Sequence, residues 1–171
     1  MTLPMLRLML CAALALASSA HATTEFSGTV TYVSDGDTLW VQPEEGGPPR
    51  KLRIDGIDAP EICQAAGRTS RDALAGRALH RRVEARVRGH DDYGRGLARL
   101  RLDGEDLGAR MVREGFAWSY RYRHSPGPYA AEEAAARNRR LGLFAAADPP
   151  ERPRDFRQRH GPCERAAPAR R

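Results

Sequence analysis

Five short strand-forming segments, with one helical segment between the third and the fourth, most constrain what this chain can fold into. The segments lie at residues 26–33, 37–42, 82–88 and 97–102, and the third of the five starts at Leu52. Apolar residues alternate with charged ones in the last two segments, as expected for strands that bury one face. This order of elements predicts an α+β fold, built on a small closed five-stranded β-barrel of the OB type.

Helical periodicity accounts for three segments, at residues 68–81, 105–114 and 129–141. In the first segment, Leu74 and Ala78 belong to one apolar stripe. We therefore expect about three α-helices to flank the barrel within a single domain, residues 23–147. Residues 148–171 are rich in proline and arginine, so we expect a tail there that builds no core.

Residues 1–22 are predicted to form a secretory signal peptide. Arg7 precedes an apolar run at residues 8–17, and the small residues Ala20 and Ala22 suit a cleavage site after Ala22. The run is shorter than the roughly 20 residues that a membrane span needs, so a retained anchor is the less favoured alternative. We expect a mature protein that starts at Thr23, lies in the periplasm or outside the cell, and has no stable membrane anchor.

Removal of the signal peptide leaves two cysteines, Cys63 and Cys163. In an oxidising compartment the simplest expectation is one disulfide, which would tie the tail to the loop after Glu61. Two free thiols are an alternative. A zinc site that adds His160 to the two cysteines is another, although it lacks an obvious fourth ligand.

The positive charge of the chain is carried almost entirely by arginine. The formal net charge is +6, and Lys51 is the only lysine. Arginine binds phosphate oxygens in pairs, so a basic secreted protein of this kind suits nucleic acid, anionic lipid or acidic polysaccharide. An arginine preference that reflects only genome composition is the alternative, and charge alone therefore favours a polyanion weakly.

The third strand ends in a stretch of residues that suits a bound cation and a phosphate. Residues 52–61 read L-R-I-D-G-I-D-A-P-E. Gly56 frees the backbone and Pro60 restricts it, so we expect Asp58 and Glu61 in a stiff loop close to Arg53. Two carboxylates and a guanidinium on rigid backbone can hold such ligands, whereas the alternative is a surface turn with solvated charges.

Two further turns carry candidate site residues. Residues 33–38 read V-S-D-G-D-T, and Asp37 and Asp58 can converge if the second and third strands are neighbours. Carboxylates, a backbone carbonyl and waters form the kind of site that binds Ca²⁺. Residues 91–96 read D-D-Y-G-R-G, where the glycines on both sides of Arg95 permit a close approach to a ligand. A solvated hairpin arginine is the alternative.

The three motifs, in this order and at these separations, resemble the staphylococcal nuclease (thermonuclease) family. The resemblance covers roughly residues 29–142. It is reinforced by M-V-R-E-G-F-A-W at residues 111–118 and by R-L-G-L-F at residues 140–144.

The resemblance implies roles for individual residues. Asp37, Asp58 and the backbone carbonyl of Ala59 match the family's calcium ligands, and Asp35 matches an acidic neighbour of the metal. Arg53 and Arg95 match its phosphate-binding arginines, and Glu61 matches its catalytic glutamate. Tyr93, Tyr120 and Tyr122 match residues beside the nucleotide. Ala59 stands where the family often has threonine, but the main chain supplies that ligand, so the change need not abolish metal binding. Asp92 stands where the best-known member has lysine, and the loop after Glu61 differs in composition. These two departures bear on substrate affinity and preference more than on the reaction.

The resemblance implies a Ca²⁺-dependent nuclease that cleaves DNA and RNA with low sequence specificity and leaves 3′-phosphates. Stacking of bases on tyrosines favours single strands. We expect a monomer. Two alternatives are a catalytically silent OB module that only binds nucleic acid, and a cell-envelope protein whose arginine-rich tail binds phospholipid or polysaccharide. Ordinary packing between helix and barrel is the alternative for the aromatic cluster that includes Trp118.

Overall fold

The structure, a computed structural model, describes residues 23–161 and 163. The predicted signal peptide, residues 1–22, and most of the chain beyond residue 161 lie outside the described residues. Within the described part, no helix is both long enough and apolar enough to cross a bilayer.

The described residues form eight strands, five of which build the barrel. They are β1 (Thr24–Val33), β2 (Thr38–Pro43), β3 (Arg50–Ile54), β4 (Ile57–Asp58), β5 (Arg82–His90), β6 (Gly96–Leu102), β7 (Glu105–Asp106) and β8 (Trp118–Ser119). The barrel strands lie in the order β3-β2-β1-β5-β6, and β3 pairs in parallel with β6 to close the sheet on itself. This closure confirms the predicted five-stranded barrel of the OB type.

The helices are α1 (Gly67–Ala78), α2 (Leu107–Arg113), α3 (Ala130–Asn138) and α4 (Pro153–His160). The first three correspond to the predicted helices, and α4 makes four α-helices among the described residues, where we expected about three. The prediction that the first helix reaches residue 81 is wrong, because Leu79 is extended and His80 has a φ of 62°. The start of α2 lies later than predicted, because the Asp106 side chain caps it by accepting a hydrogen bond from Ala109 N–H.

The core of the barrel consists of the apolar residues that alternate along its strands. The predicted inward residues of β5 and β6 are all buried: Val83, Ala85, Val87, Ala98, Leu100 and Leu102. Leu74 and Ala78 of α1 pack into the same cluster, so the helix covers part of the barrel. Period-two alternation in the sequence therefore identified the buried face of these two strands correctly.

A second, smaller cluster lies beside the barrel, where β4 pairs with β8. Its polar centre is Glu133 of α3, which is only 2% exposed. The Glu133 carboxylate accepts hydrogen bonds from Ser119 N–H at 2.9 Å and from Arg137 at 2.8 Å. Longer contacts come from Arg121 at 3.3 Å and Arg152 at 3.4 Å. One buried carboxylate therefore joins β8, the tyrosine-bearing loop after it, and the chain that leads into α4.

The described part of the tail is attached to the domain. The Cys63 and Cys163 sulfur atoms lie at disulfide-bonding distance, at a sequence separation of 100. Gln64, which follows Cys63, also donates a hydrogen bond to the Glu151 carbonyl at 2.5 Å. Helix α4 thus lies within the segment that the sequence predicted as a tail, and it is tethered on both of its sides.

Glu133→Ala is expected to lower the free energy of unfolding by about 3 kcal/mol, because it leaves a buried N–H and several arginines without their acceptor. Urea unfolding measures this loss. The matched control is Glu132→Ala on the same helix, for which the described residues provide no hydrogen-bond partner and whose effect should stay within about 0.5 kcal/mol. Equal losses for the two variants would contradict the role given to Glu133.

Candidate active site

The β2–β3 hairpin and the turn after it bring two predicted carboxylates together. Thr38 pairs with Arg53 across the hairpin, and Ile54 N–H donates to the Asp37 carbonyl at 2.8 Å. The second and third strands are therefore neighbours, which was the condition for Asp37 and Asp58 to converge. Gly56 has a φ of +85° and reverses the chain between β3 and β4. The reversal brings Asp58 to the side of Arg53.

Arg53 lies between the two buried carboxylates. Its Nη1 is 2.7 Å from Asp37 Oδ2, and its Nη2 is 2.9 Å from Asp58 Oδ1. Burial opposes the charge of Arg53, but Asp37 and Asp58 outweigh that effect and raise its pKa above the ordinary value. The guanidinium is thus a permanent positive charge at the centre of an acidic cluster.

Asp35 and Ala59 lie against Asp37. Asp37 N–H donates to Asp35 Oδ1 at 3.0 Å, and Ala59 N–H donates to Asp37 Oδ2 at 3.2 Å. Burial, followed by the charge of Asp37, raises the pKa of Asp35 to about 7. Burial, with the charge of Asp37 second, also raises the pKa of Asp58 despite its contact with Arg53. Burial and the charge of a neighbouring carboxylate thus both favour the protonated form of these two acids.

Arg95 joins this cluster through Thr38. Its Nη1 donates to Thr38 Oγ1 at 3.3 Å, and that hydroxyl donates to Asp37 Oδ1 at 2.9 Å. Asp91 fixes the other side of the guanidinium, since Arg95 Nε is 2.7 Å from Asp91 Oδ2. Arg95 is thus oriented towards the acidic cluster by a hydroxyl and a carboxylate that lie on either side of it.

Glu61 reaches the cluster through an arginine of the tail. Arg157 Nη1 is 2.5 Å from Glu61 Oε1 and 3.5 Å from Asp58 Oδ1. Glu61 N–H donates to Gln64 Oε1 at 3.1 Å, which fixes the main chain at that point. The structure therefore links the five residues proposed for metal, phosphate and proton transfer: Asp37, Arg53, Asp58, Glu61 and Arg95.

The three predicted stacking tyrosines have accessible rings. Tyr93, Tyr120 and Tyr122 are 81%, 42% and 61% exposed. Trp118 differs from them, because it is buried and packs edge-on against Phe144 at 6.2 Å. Packing therefore accounts for Trp118, whereas the three tyrosines are exposed, with Arg95 over the Tyr93 ring and Arg123 over the Tyr122 ring.

A divalent cation fits the chemistry of this site with a small set of protein ligands. Among residues 23–161 and 163, no group of three or more His, Cys, Asp or Glu side chains could hold a metal ion. Asp37 and Asp58 would therefore act as a pair and be joined by a main-chain oxygen and waters, which are the hard donors that Ca²⁺ accepts. Burial, with the charge of Asp37 second, raises the pKa of Asp58, and a bound cation would favour its charged form.

Sequence reasoning missed four residues that shape the site: Thr38, Gln64, Asp91 and Arg157. Thr38 and Asp91 lie inside the recognised motifs, so their position next to Asp37 and Arg95 was a usable signal. Arg157 had only an indirect signal: it precedes Cys163 by six residues, and Cys163 was expected to bond to the loop after Glu61.

Comparisons with known proteins agree with this geometry. The family model described as Staphylococcal nuclease homologue matches residues 51–146. The chain is 36% identical over 145 residues to protein ParB of Escherichia coli, covering 78% of this chain and 80% of ParB. It is 36% identical over 145 residues to a micrococcal nuclease of Shigella flexneri, covering 78% of this chain and 82% of that nuclease. An uncharacterized endonuclease of Haemophilus influenzae is 36% identical over 123 residues, which cover 71% of this chain and 68% of that endonuclease.

The OB-type barrel, the acidic and arginine cluster at its rim, and the nuclease-named relatives define a nuclease that acts on phosphodiester bonds. The chain belongs to the staphylococcal nuclease family.

Asp35 makes the stability of the metal-free protein depend on pH. Its pKa is about 7 in the folded state and 3.8 ordinarily. Between these two pH values the folded state binds more protons than the unfolded state, so the free energy of unfolding falls as the pH rises from 3.8 to about 7. Asp35→Asn removes this loss, and the variant should gain several degrees of melting temperature over wild type at pH 8, measured in chelator, but little at pH 4. The control is Asp92→Asn, an exposed neighbour of Arg95. A pH-independent difference between Asp35→Asn and wild type would contradict the burial of that charge.

Proposed function

We propose that this protein is a Ca²⁺-dependent nuclease that hydrolyses phosphodiester bonds of DNA and RNA with low sequence specificity and leaves 3′-phosphates. The observation that carries the proposal is the continuous chain of contacts from Arg95 through Thr38, Asp37 and Arg53 to Asp58. It supplies two guanidinium groups for a phosphate and two carboxylates for a cation within one site.

Arg53 and Arg95 would bind the non-bridging oxygens of the scissile phosphate. Arg95 is prepared for this, because Asp91 and Thr38 occupy its Nε and Nη1, while the described residues provide no hydrogen-bond acceptor for its Nη2. As water adds to phosphorus, negative charge grows on these oxygens, and fixed guanidinium groups stabilise it without reorganising. Arginine is a poor proton donor, so the role of both residues is electrostatic.

Asp37 and Asp58, with the carbonyl of Ala59, would hold Ca²⁺, and Asp35 would support Asp37 through its main-chain N–H. The cation supplies additional positive charge at the phosphate when bound. Burial of both carboxylates keeps competing water from them and strengthens their attraction for a cation.

Glu61 would accept the proton of the attacking water. The water oxygen forms a bond to phosphorus, the bond from phosphorus to the 5′-oxygen breaks, and the departing 5′-oxygen takes up a proton from solvent, so the phosphate stays on the 3′ side. Glu61 is suited to this because its Oε1 is fixed by Arg157 while the described residues provide no hydrogen-bond donor for Oε2. A general base needs such a free oxygen within hydrogen-bond reach of water.

The substrate would be an unpaired strand. Three exposed tyrosines can stack on bases of any kind, which would give low sequence specificity and a preference for single strands. The net charge of +6 favours association with a polyanion. We further propose that the mature protein acts as a monomer in the periplasm or outside the cell, without a stable membrane anchor, where its cysteine pair would stay oxidised.

A cleavage assay tests this function against its two rivals. The protein that starts at Thr23 is incubated with single-stranded DNA or RNA, either with Ca²⁺ or with chelator. Cleavage that chelator abolishes and Ca²⁺ restores is the expected result. Binding without cleavage would indicate a silent OB module, and no interaction with nucleic acid would indicate a cell-envelope role.

Glu61→Gln is expected to lower turnover by about 10²- to 10⁴-fold, because it removes the proton acceptor and keeps the shape of the side chain. Its affinity for single-stranded DNA in chelator, measured by fluorescence anisotropy, should be unchanged. The control is Glu45→Gln in the turn between β2 and β3, at the end of the hairpin away from Arg53. A wild-type rate in Glu61→Gln would remove Glu61 from the mechanism.

A further inference from the structure

The segment that carries helix α4 lies against the candidate active site, and we call residues 151–161 with Cys163 the C-terminal strap. One side is fixed by Gln64, which donates to the Glu151 carbonyl, and by Arg152, which contacts Glu133. The other side is fixed at Cys163, which lies at disulfide-bonding distance from Cys63. The strap is therefore held both before and after its helix.

The strap delivers one side chain to the site. Arg157 lies in α4, between the two attachments, and its Nη1 is 2.5 Å from Glu61 Oε1. The same nitrogen lies 3.5 Å from Asp58 Oδ1, the oxygen that also accepts a hydrogen bond from Arg53. Within the described part of the chain, Arg157 is the only side chain that hydrogen-bonds the Glu61 carboxylate.

Glu61 needs a partner of this kind because no helix or strand fixes its position. It follows β4 in a loop outside any helix or strand, and the Gln64 contact fixes only its main-chain N–H. A glutamate side chain has several freely rotating bonds, whereas a general base must hold one oxygen towards the attacking water. Arg157 binds Oε1 and thereby orients Oε2.

The contacts of the strap favour a supporting role over an inhibitory one. A segment that plugged the site would cover the phosphate-binding groups, yet no described hydrogen bond or ion pair joins the strap to Asp37, Arg53 or Arg95. Arg157 occupies one oxygen of Glu61, and 36% of its own side chain is exposed. The family match ends at residue 146, so this contribution comes from outside the region that matches the family model.

Building on the proposed nuclease function, we propose that Arg157 is a positioning residue for Glu61, and that the strap holds it in place only while Cys63 and Cys163 are bonded. Cleavage would then depend on the oxidised cysteine pair. The protein would be an effective nuclease in an oxidising compartment and a poor one under reducing conditions.

The test compares variants of the chain that starts at Thr23, with single-stranded DNA and Ca²⁺. Arg157→Ala should lower kcat by about 10- to 100-fold, while KM, and Kd measured in chelator, stay within about threefold. Arg157→Lys should recover part of the loss. The matched control is Arg154→Ala, which removes the same charge from an exposed position of α4 and should leave kcat unchanged. Thermal melting verifies that each variant is folded.

A double-variant comparison separates positioning from a general structural effect. Because Arg157 acts through Glu61, adding Arg157→Ala to Glu61→Gln should cause no further loss of kcat. The double variant Cys63→Ser/Cys163→Ser, or wild type treated with reductant, should lose kcat to the same extent as Arg157→Ala. Adding Arg157→Ala to the cysteine variant should then change nothing.

Four results would overturn the proposal. These are an unchanged or higher kcat in Arg157→Ala, a weaker Kd with kcat intact, a full further loss in the Glu61→Gln background, and wild-type kcat in folded protein without the disulfide. A wild-type protein that cleaves nothing under any condition is a different failure. That result would remove the proposed function itself, whereas each of the four leaves that function standing.

Discussion

The position of Arg53 between Asp37 and Asp58 is the interaction on which the rest of the site depends. Both carboxylates are buried, and an unpaired buried charge is costly, so each needs the guanidinium in the folded protein. The three groups stay together because β2 and β3 are paired strands and β4 follows after one tight reversal. A bound cation and a bound phosphate would take over the two halves of this ion-pair cluster. The same charges thus stabilise one another in the folded protein and would bind the cation and the phosphate.

The rigidly held side chains of the site and the more flexible ones lie in different parts of the fold. Barrel strands position Arg53 and Thr38, and the parallel pairing of β3 with β6 brings the Arg95 turn beside them. Glu61 and the tyrosines lie in loops, where the side chains have more freedom. Two of these loops are held from outside the barrel. Gln64 and Arg157 contact Glu61, and Glu133 contacts Ser119 of β8 and Arg121 in the loop after it. The elements outside the barrel therefore stabilise those loops of the site that the barrel strands do not hold.

Much of this architecture could be predicted from sequence because its signals are local. Alternation identified the buried face of β5 and β6, and Asp37 and Asp58 converge because β2 pairs with β3 and β4 follows β3 after one tight reversal at Gly56. The early end of α1 was missed because a positive φ at His80 leaves no mark in the apolar pattern. Helix α4 was missed for another reason: it is short, polar and stable only through distant contacts. Arg157 belongs to that helix, so its position beside Glu61, 96 residues earlier, could not be derived from local patterns.

The most direct test of a shared metal and phosphate site is a crystal structure of the Glu61→Gln variant with Ca²⁺ and a single-stranded oligonucleotide. The account predicts one calcium ion bound by the carboxylates of Asp37 and Asp58. It also predicts a phosphate that contacts that ion and the guanidinium groups of Arg53 and Arg95. An ion bound elsewhere, or a strand whose phosphates avoid both arginines, would contradict it.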